Sequence, residues 1–173
     1  AMETPIEPIF IEWCYEVNNR NQVCNAGLAI AALAVWEKAP ILCRDVLESS
    51  IARNRLAMES LYAPDGIYDE GAVYWSYGTT FEIALLDALE SILGTDYGLS
   101  EVPGFDRTPY FEINMFSSTG REQDFFNYAD TEDSLTLPGC IWYFVRRSGD
   151  SGFLWPVREI YEQPSLLCDK YCD

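Results

Sequence analysis

With 173 residues, of which 49% are apolar and 14% aromatic, the chain is long enough for one domain with a real core and too short for two ordinary ones. Its 28 acids against 11 bases give a net charge of −17, which disfavours nucleic acid and anionic membranes, whose binding needs basic clusters. Histidine is absent. That excludes Ser-His and Cys-His nucleophile pairs and His-containing zinc sites, so acid–base chemistry falls to Tyr, carboxylates, Lys or Cys.

The beginning, AMETPIEPIF, lacks a basic region followed by an apolar one, so no secretory signal is read there, and Ala1 before Met2 looks like a tag remnant. Residues 6–17 suggest the start of a helix. The polar run Asn18-Asn19-Arg20-Asn21-Gln22 interrupts it, and 23–37 reads as an alanine-rich helix that a neighbour can approach closely. Pro40 opens a helix over 40–62, with Ile41, Val46, Leu47, Ile51, Leu56 and Leu61 on its inner side. Pro64-Asp65-Gly66 is a turn signal, because Pro presets one backbone angle and Gly accepts positive φ.

From 71 to 93 the pattern turns helical again: Tyr74, Gly78, Phe81, Leu85, Ala88 and Ile92 recur at three- and four-residue spacing, and Gly94 caps the end. Residues 99–103 read as a linker, 104–116 as a fifth helix and 117–121 as a turn out of it. The stretch 124–134 is acidic and aromatic with no clean period, and 138–147 and 153–161 suggest two shorter helices. The fold class is therefore all-α, a single helical domain over 1–173 made of antiparallel helical hairpins. The longest weakly polar stretch, 26–36, is shorter than the roughly 18 apolar residues a membrane span needs.

Six cysteines, at 14, 24, 43, 140, 168 and 172, form no CxxC pair. Cys24 and Cys43 sit in helical patterns as small buried hydrophobes, and Cys168 and Cys172 are near enough to bridge in an oxidising compartment. The most informative segment is DGIYDEGAVYWSYGTTF (65–81), which crowds acids, glycines and tyrosines onto the entry to a helix. Two explanations stand side by side: Tyr74 and Tyr77 face a cleft, or they are core tyrosines with one bonded hydroxyl. Asp69 and Glu70 likewise suit a helix start, where acids complement the positive dipole end. Asn127 and Asp130 line a cleft or make Asx turns.

Three blocks together resemble the heparinase II/III family of polysaccharide lyases: NNRNQVCNAGLAIAAL (18–33), YAPDGIYDEGAVYWSYGT (62–79), and GTDYGLSEVPGF with FNYAD (94–105 and 126–130). The resemblance covers nearly the whole chain and implies an α/α toroid of helical hairpins, of which this chain would be the later part. By that resemblance the first hairpins and the C-terminal β-sandwich domain of the family would have no counterpart in these residues. The implied activity is β-elimination of uronate-containing acidic polysaccharide, without cofactor or metal, in a periplasmic or secreted setting. The net charge would repel such a substrate unless Arg20, Arg53, Arg55, Arg107 or Arg121 gather in one cleft. Exposed helix faces of an incomplete ring would favour self-association.

Elimination removes the proton at C5 of the uronate, which is too weak an acid until its carboxylate is neutralised by a hydrogen-bonded amide. The resemblance gives that amide role to Asn19, or to its neighbours Asn18 and Asn21, and the acid–base role to Tyr74, with Tyr77 second. Arg20, Glu70 and Asn127 would bind substrate. Similar sequences usually carry Trp where this chain has Arg20, and the family takes an essential histidine from its later part. The chain alone is therefore not expected to catalyse efficiently. Two other functions stay open: a non-catalytic helical module that binds glycan or protein, and an α/α-toroid glycoside hydrolase using Glu70 with Asp130.

Overall fold

A computed structural model describes residues 12–115, 126, 129, 139–155, 157 and 158. Five α-helices run through them: α1 Asn19–Ala34, α2 Pro40–Leu61, α3 Ala72–Leu93, α4 Thr108–Met115 and α5 Ile141–Ser148. Short 3-10 turns cover Glu12–Tyr15, Leu99–Glu101, Phe105–Arg107 and Ser151–Leu154. The described residues contain no strand, as the periodicity predicts for an all-helical chain.

The three long helices make the body of the fold, with α1 packed against both α2 and α3. Their directions follow from side chains that meet. Gln22, near the start of α1, bonds Tyr62 just past the end of α2, so those two helices run antiparallel as a hairpin. Asn19 at the start of α1 meets Glu70 just before α3, which sets α3 parallel to α1. Ala26 and Ala29 are fully buried on α1, and their lack of side-chain bulk lets its neighbours come close. Around them pack Met58, Tyr62, Tyr68, Trp75, Leu85, Leu86 and Leu89, and Phe105, Ile141 and Phe144 extend the same core toward α5.

Local signals explain most boundaries. Pro40 occupies the first turn of α2, where its missing N–H costs nothing, and Gly94 ends α3 at φ 74°. The sequence predicts an interruption at 18–22; the structure starts α1 there instead. Asn18 is its N-cap, accepting from the Asn21 amide, and the Asn21 side chain donates to the carbonyls of Cys14 (2.8 Å) and Glu16 (2.7 Å). The asparagines that read as a break are the helix start, and only a 3-10 turn precedes it within the described residues of the helix expected over 6–17.

The fifth helix expected over 104–116 is a 3-10 turn followed by α4. Gly104 sits at φ 85° with its α-carbon pressed against the Tyr62 carbonyl, where no Cβ fits, so regular helix waits until Thr108 and Pro109. Of the residues expected on the inner side of α2, Leu47 and Leu61 are buried, whereas Ile41 (77% exposed) and Leu56 (46%) face outward. The buried stripe runs instead through Cys43, Leu47, Ser50, Asn54, Ala57, Met58 and Leu61, a spacing that leaves Ile41 and Leu56 on the far side. Ile92, 60% exposed, has likewise rotated off the α3 stripe near its end.

Cys43 is buried as expected, while Cys24 is half-buried; both are free thiols, as are Cys14 and Cys140. The short helix expected over 138–147 is α5, and that over 153–161 begins within the turn Ser151–Leu154. Cys168, Cys172, Asn127, Asp130 and Arg121 lie outside the described residues.

Candidate functional site

The entries to α1 and α3 meet at one corner. Between them, the Glu70 carboxylate accepts the backbone N–H of Asn19 at 2.6 Å and the Asn19 side-chain amide at 2.7 Å. Asn19 is the first residue of α1, where amide N–H groups point outward without intrahelical partners and the helix dipole favours negative charge. Glu70 therefore serves a helix start, as one of its two sequence readings has it, but the bonds it makes are to α1, while α3 begins at Gly71 with no side-chain cap bond. Asp69 is exposed and stands apart from this contact.

Tyr74 lies in the first turn of α3, half-buried against the core. Gly78 is one turn further along the same face, and a Cβ there would sit 3.4 Å from that of Asn19. The spacing thus puts Tyr74 on the side of α3 turned toward the start of α1. Tyr77 points elsewhere: it is 48% exposed and meets Phe81 edge-on, with ring centroids 5.3 Å apart. Asn18 spends its amide on Glu16 at 3.0 Å as well as capping α1. Asn21 is fully buried with its amide hydrogens on backbone carbonyls, so it holds the fold and does not reach solvent. Arg20 is exposed beside the corner, 3.6 Å from Glu16.

Beneath the corner lies a polar network that the sequence reading missed. The Gln22 amide donates to the Tyr62 hydroxyl (3.0 Å) and to Glu82 (3.4 Å), while its oxygen accepts the Tyr68 hydroxyl at 2.7 Å. Tyr62 shares a further bond with Thr79 at 2.9 Å. Gln22, Asn54, Tyr62, Tyr68, Thr79 and Glu82 are all fully buried. Burial pushes the Glu82 carboxyl from 4.5 up to about 7, offset in part by hydrogen bonds from Asn54 and Gln22. Burial also pushes both tyrosines well above their ordinary value of 10.0. These groups are enclosed, so they fix the geometry of the corner and lie out of reach of solvent. Their signal in the sequence is a Glu at position 82, one turn past Gly78, on a stripe otherwise apolar.

A second buried carboxyl, Glu112 on α4, has no hydrogen-bond partner for either oxygen among the described residues and is held well above its ordinary 4.5 by burial. Among the described residues no group of three or more Cys, Asp or Glu is gathered in a way that holds a metal ion. No helix of the described residues is long and apolar enough to cross a membrane. The chain matches no model of a known protein family, and no curated protein is a significant match to it.

Proposed function

We propose that this chain supplies the uronate-binding side of a β-eliminating site on a helical toroid of the heparinase II/III type. One observation carries the reading. Two of the three sequence blocks behind the resemblance, 51 residues apart, converge where Asn19 donates to Glu70. In this reading Glu70 orients the Asn19 amide through one of its N–H bonds and leaves the other for a substrate carboxylate. Arg20, the next residue on α1, supplies positive charge beside it. With that carboxylate neutralised, Tyr74 acts as the general base that takes the C5 proton. The electron pair left at C5 forms the C4=C5 double bond as the C4–O4 bond breaks, and the proton on Tyr74 passes to O4.

A second reading, a glycan-binding helical module without turnover, is favoured by one fact: the 173 residues hold no histidine to assist the tyrosine. Calorimetric titration with unsulfated and sulfated uronate oligosaccharides, read alongside ultraviolet absorbance for unsaturated product, separates the two. We expect binding that weakens at least about tenfold in Asn19→Ala, a change worth about 1.4 kcal/mol. Product formation that is lost in Tyr74→Phe supports the lyase, and binding without product supports the module. Failure to bind any uronate glycan overturns both. The glycoside hydrolase alternative loses one of its carboxylates to structure, since Glu70 already holds Asn19, and its other, Asp130, lies outside the described residues.

A further inference from the structure

At the opposite end of α1 a cavity of about 510 Å³ opens between Trp36, one flank of α2 and the end of α3. Its volume falls in the range of small-ligand sites, roughly 300–1,000 Å³. The α2 side is a single stripe, Arg44, Leu47, Glu48, Ile51, Ala52 and Arg55, repeating at three- and four-residue steps. Tyr97 and Leu93 close it from the α3 side. In a chain with 28 acids and 11 bases, the lining of this cavity holds two arginines against one glutamate.

The two arginines differ in freedom. Arg55 is anchored: its guanidinium donates to the carbonyls of Tyr97 and Gly98 and lies 4.0 Å from Glu59. Those bonds fix the cavity's outer wall by tying α2 to the turn after α3. Arg44 has no ion-pair or hydrogen-bond partner among the described residues, so its guanidinium fork is available for a carboxylate. Trp36 and Tyr97 offer flat apolar faces on which a sugar ring stacks, and Glu48, four residues from Arg44, is an acceptor for ring hydroxyls. A free guanidinium, an acceptor carboxylate and two aromatic faces around one small cavity match a hydroxylated ring that carries one negative charge.

We propose that this cavity is a second binding site, for a single acidic sugar residue of the uronate type, with its carboxylate on Arg44, hydroxyls on Glu48 and ring against Trp36 and Tyr97. It goes beyond the reading given above. The 16 residues of α1 set it about 24 Å from Asn19, so the two sites are loaded and scored separately. In a chain this acidic, such a site gives an anionic glycan a foothold remote from the α1–α3 corner.

The test uses the whole chain and three probes: glucuronate, glucose as the neutral ring of the same shape, and glucosamine as the cationic one. Binding is followed by the Trp36 indole N–H resonance, assigned from Trp36→Phe. Glucuronate is expected to shift that resonance with an affinity at least about tenfold above that of glucose, falling as salt rises, with glucosamine weakest. Arg44→Gln, at an exposed and unpartnered side chain, is expected to abolish the preference for glucuronate over glucose while leaving the melting temperature unchanged. Asn19→Ala is expected to leave this titration unaltered, so failure at one site is told from failure at the other. Equal binding of glucose and glucuronate, a preference that survives Arg44→Gln, or no response of the Trp36 indole to any probe overturns the proposal.

Discussion

Replacing Gly78 by alanine sets two physical effects of opposite sign against each other. Gly78 is in the interior of α3, where alanine is worth about 1 kcal/mol more than glycine in intrinsic helix preference. On propensity alone the variant is more stable. The surroundings say otherwise: a Cβ at this position lies 2.5 Å from the Tyr68 hydroxyl and 2.6 Å from the Gln22 side-chain oxygen, closer than such contacts allow. These two atoms bond each other at 2.7 Å, so relieving the contact means parting them. Overpacking costs about 1–3 kcal/mol and leaving a buried donor and acceptor unmade about 1–3 more. Less the propensity gain, the net is a loss of about 1–5 kcal/mol, and each kcal/mol lowers the melting midpoint by about 2–4 °C at this size. Thermal unfolding followed by circular dichroism measures it. Pairing the change with Tyr68→Phe removes one of the two clashing atoms, so the double variant is expected to be more stable than the two losses summed, by about 0.5–3 kcal/mol. A Gly78→Ala protein as stable as the parent, or more so, refutes the reasoning.

Glu82 makes stability depend on pH in the direction opposite to an ordinary surface acid. Its carboxyl is raised by burial from 4.5 to about 7, so the folded chain keeps a proton that the unfolded chain releases in that interval. The stability tied to that proton is fully present below about pH 4.5 and lost as pH rises through 7, about 3 kcal/mol in all. Glu82→Gln keeps the shape without the charge; its urea midpoint at pH 8 is expected above that of the parent, and parallel pH profiles for the two proteins contradict the assignment. At the corner, Glu70→Ala removes both acceptors of Asn19 and a favourable charge at the start of α1, an expected loss of about 1–3 kcal/mol in urea unfolding, against which an unchanged midpoint counts.

How far the sequence carries depends on whether each determinant is local. The limits of α2 and α3 are legible because Pro40 and Gly94 act through their own backbone angles. The start of α1 is not, because asparagines compete with helix in isolation and their caps here depend on partners elsewhere. Asn21 needs the carbonyls of Cys14 and Glu16, and Asn19 needs a carboxylate 51 residues away. The inner face of α2 escapes the sequence for a related reason. Hydrophobicity alone points Ile41 and Leu56 inward, whereas the buried stripe runs through Ser50 and Asn54. The polar network has the same origin: Gln22, Asn54 and Glu82 are each a misfit on an apolar face, and only the packing of three helices together shows that they are partners.

That network also explains why the corner above it keeps its shape. The Tyr68 hydroxyl is anchored on Gln22, and three residues on, at the end of the turn that leads into α3, the Gly71 amide returns to the Tyr68 carbonyl at 3.1 Å. Glu70 lies inside that closed turn, so its position is set by Tyr68 below rather than by Asn19 alone. Gln22 in turn sits one helical turn after Asn19 on α1. Both halves of the Asn19–Glu70 contact are therefore held to the same buried atoms, and Gly78 is the residue whose missing side chain lets those atoms meet. A group that must present one amide hydrogen to a ligand carboxylate gains from such support, because the orientation is fixed before the ligand arrives and costs nothing at the moment of binding.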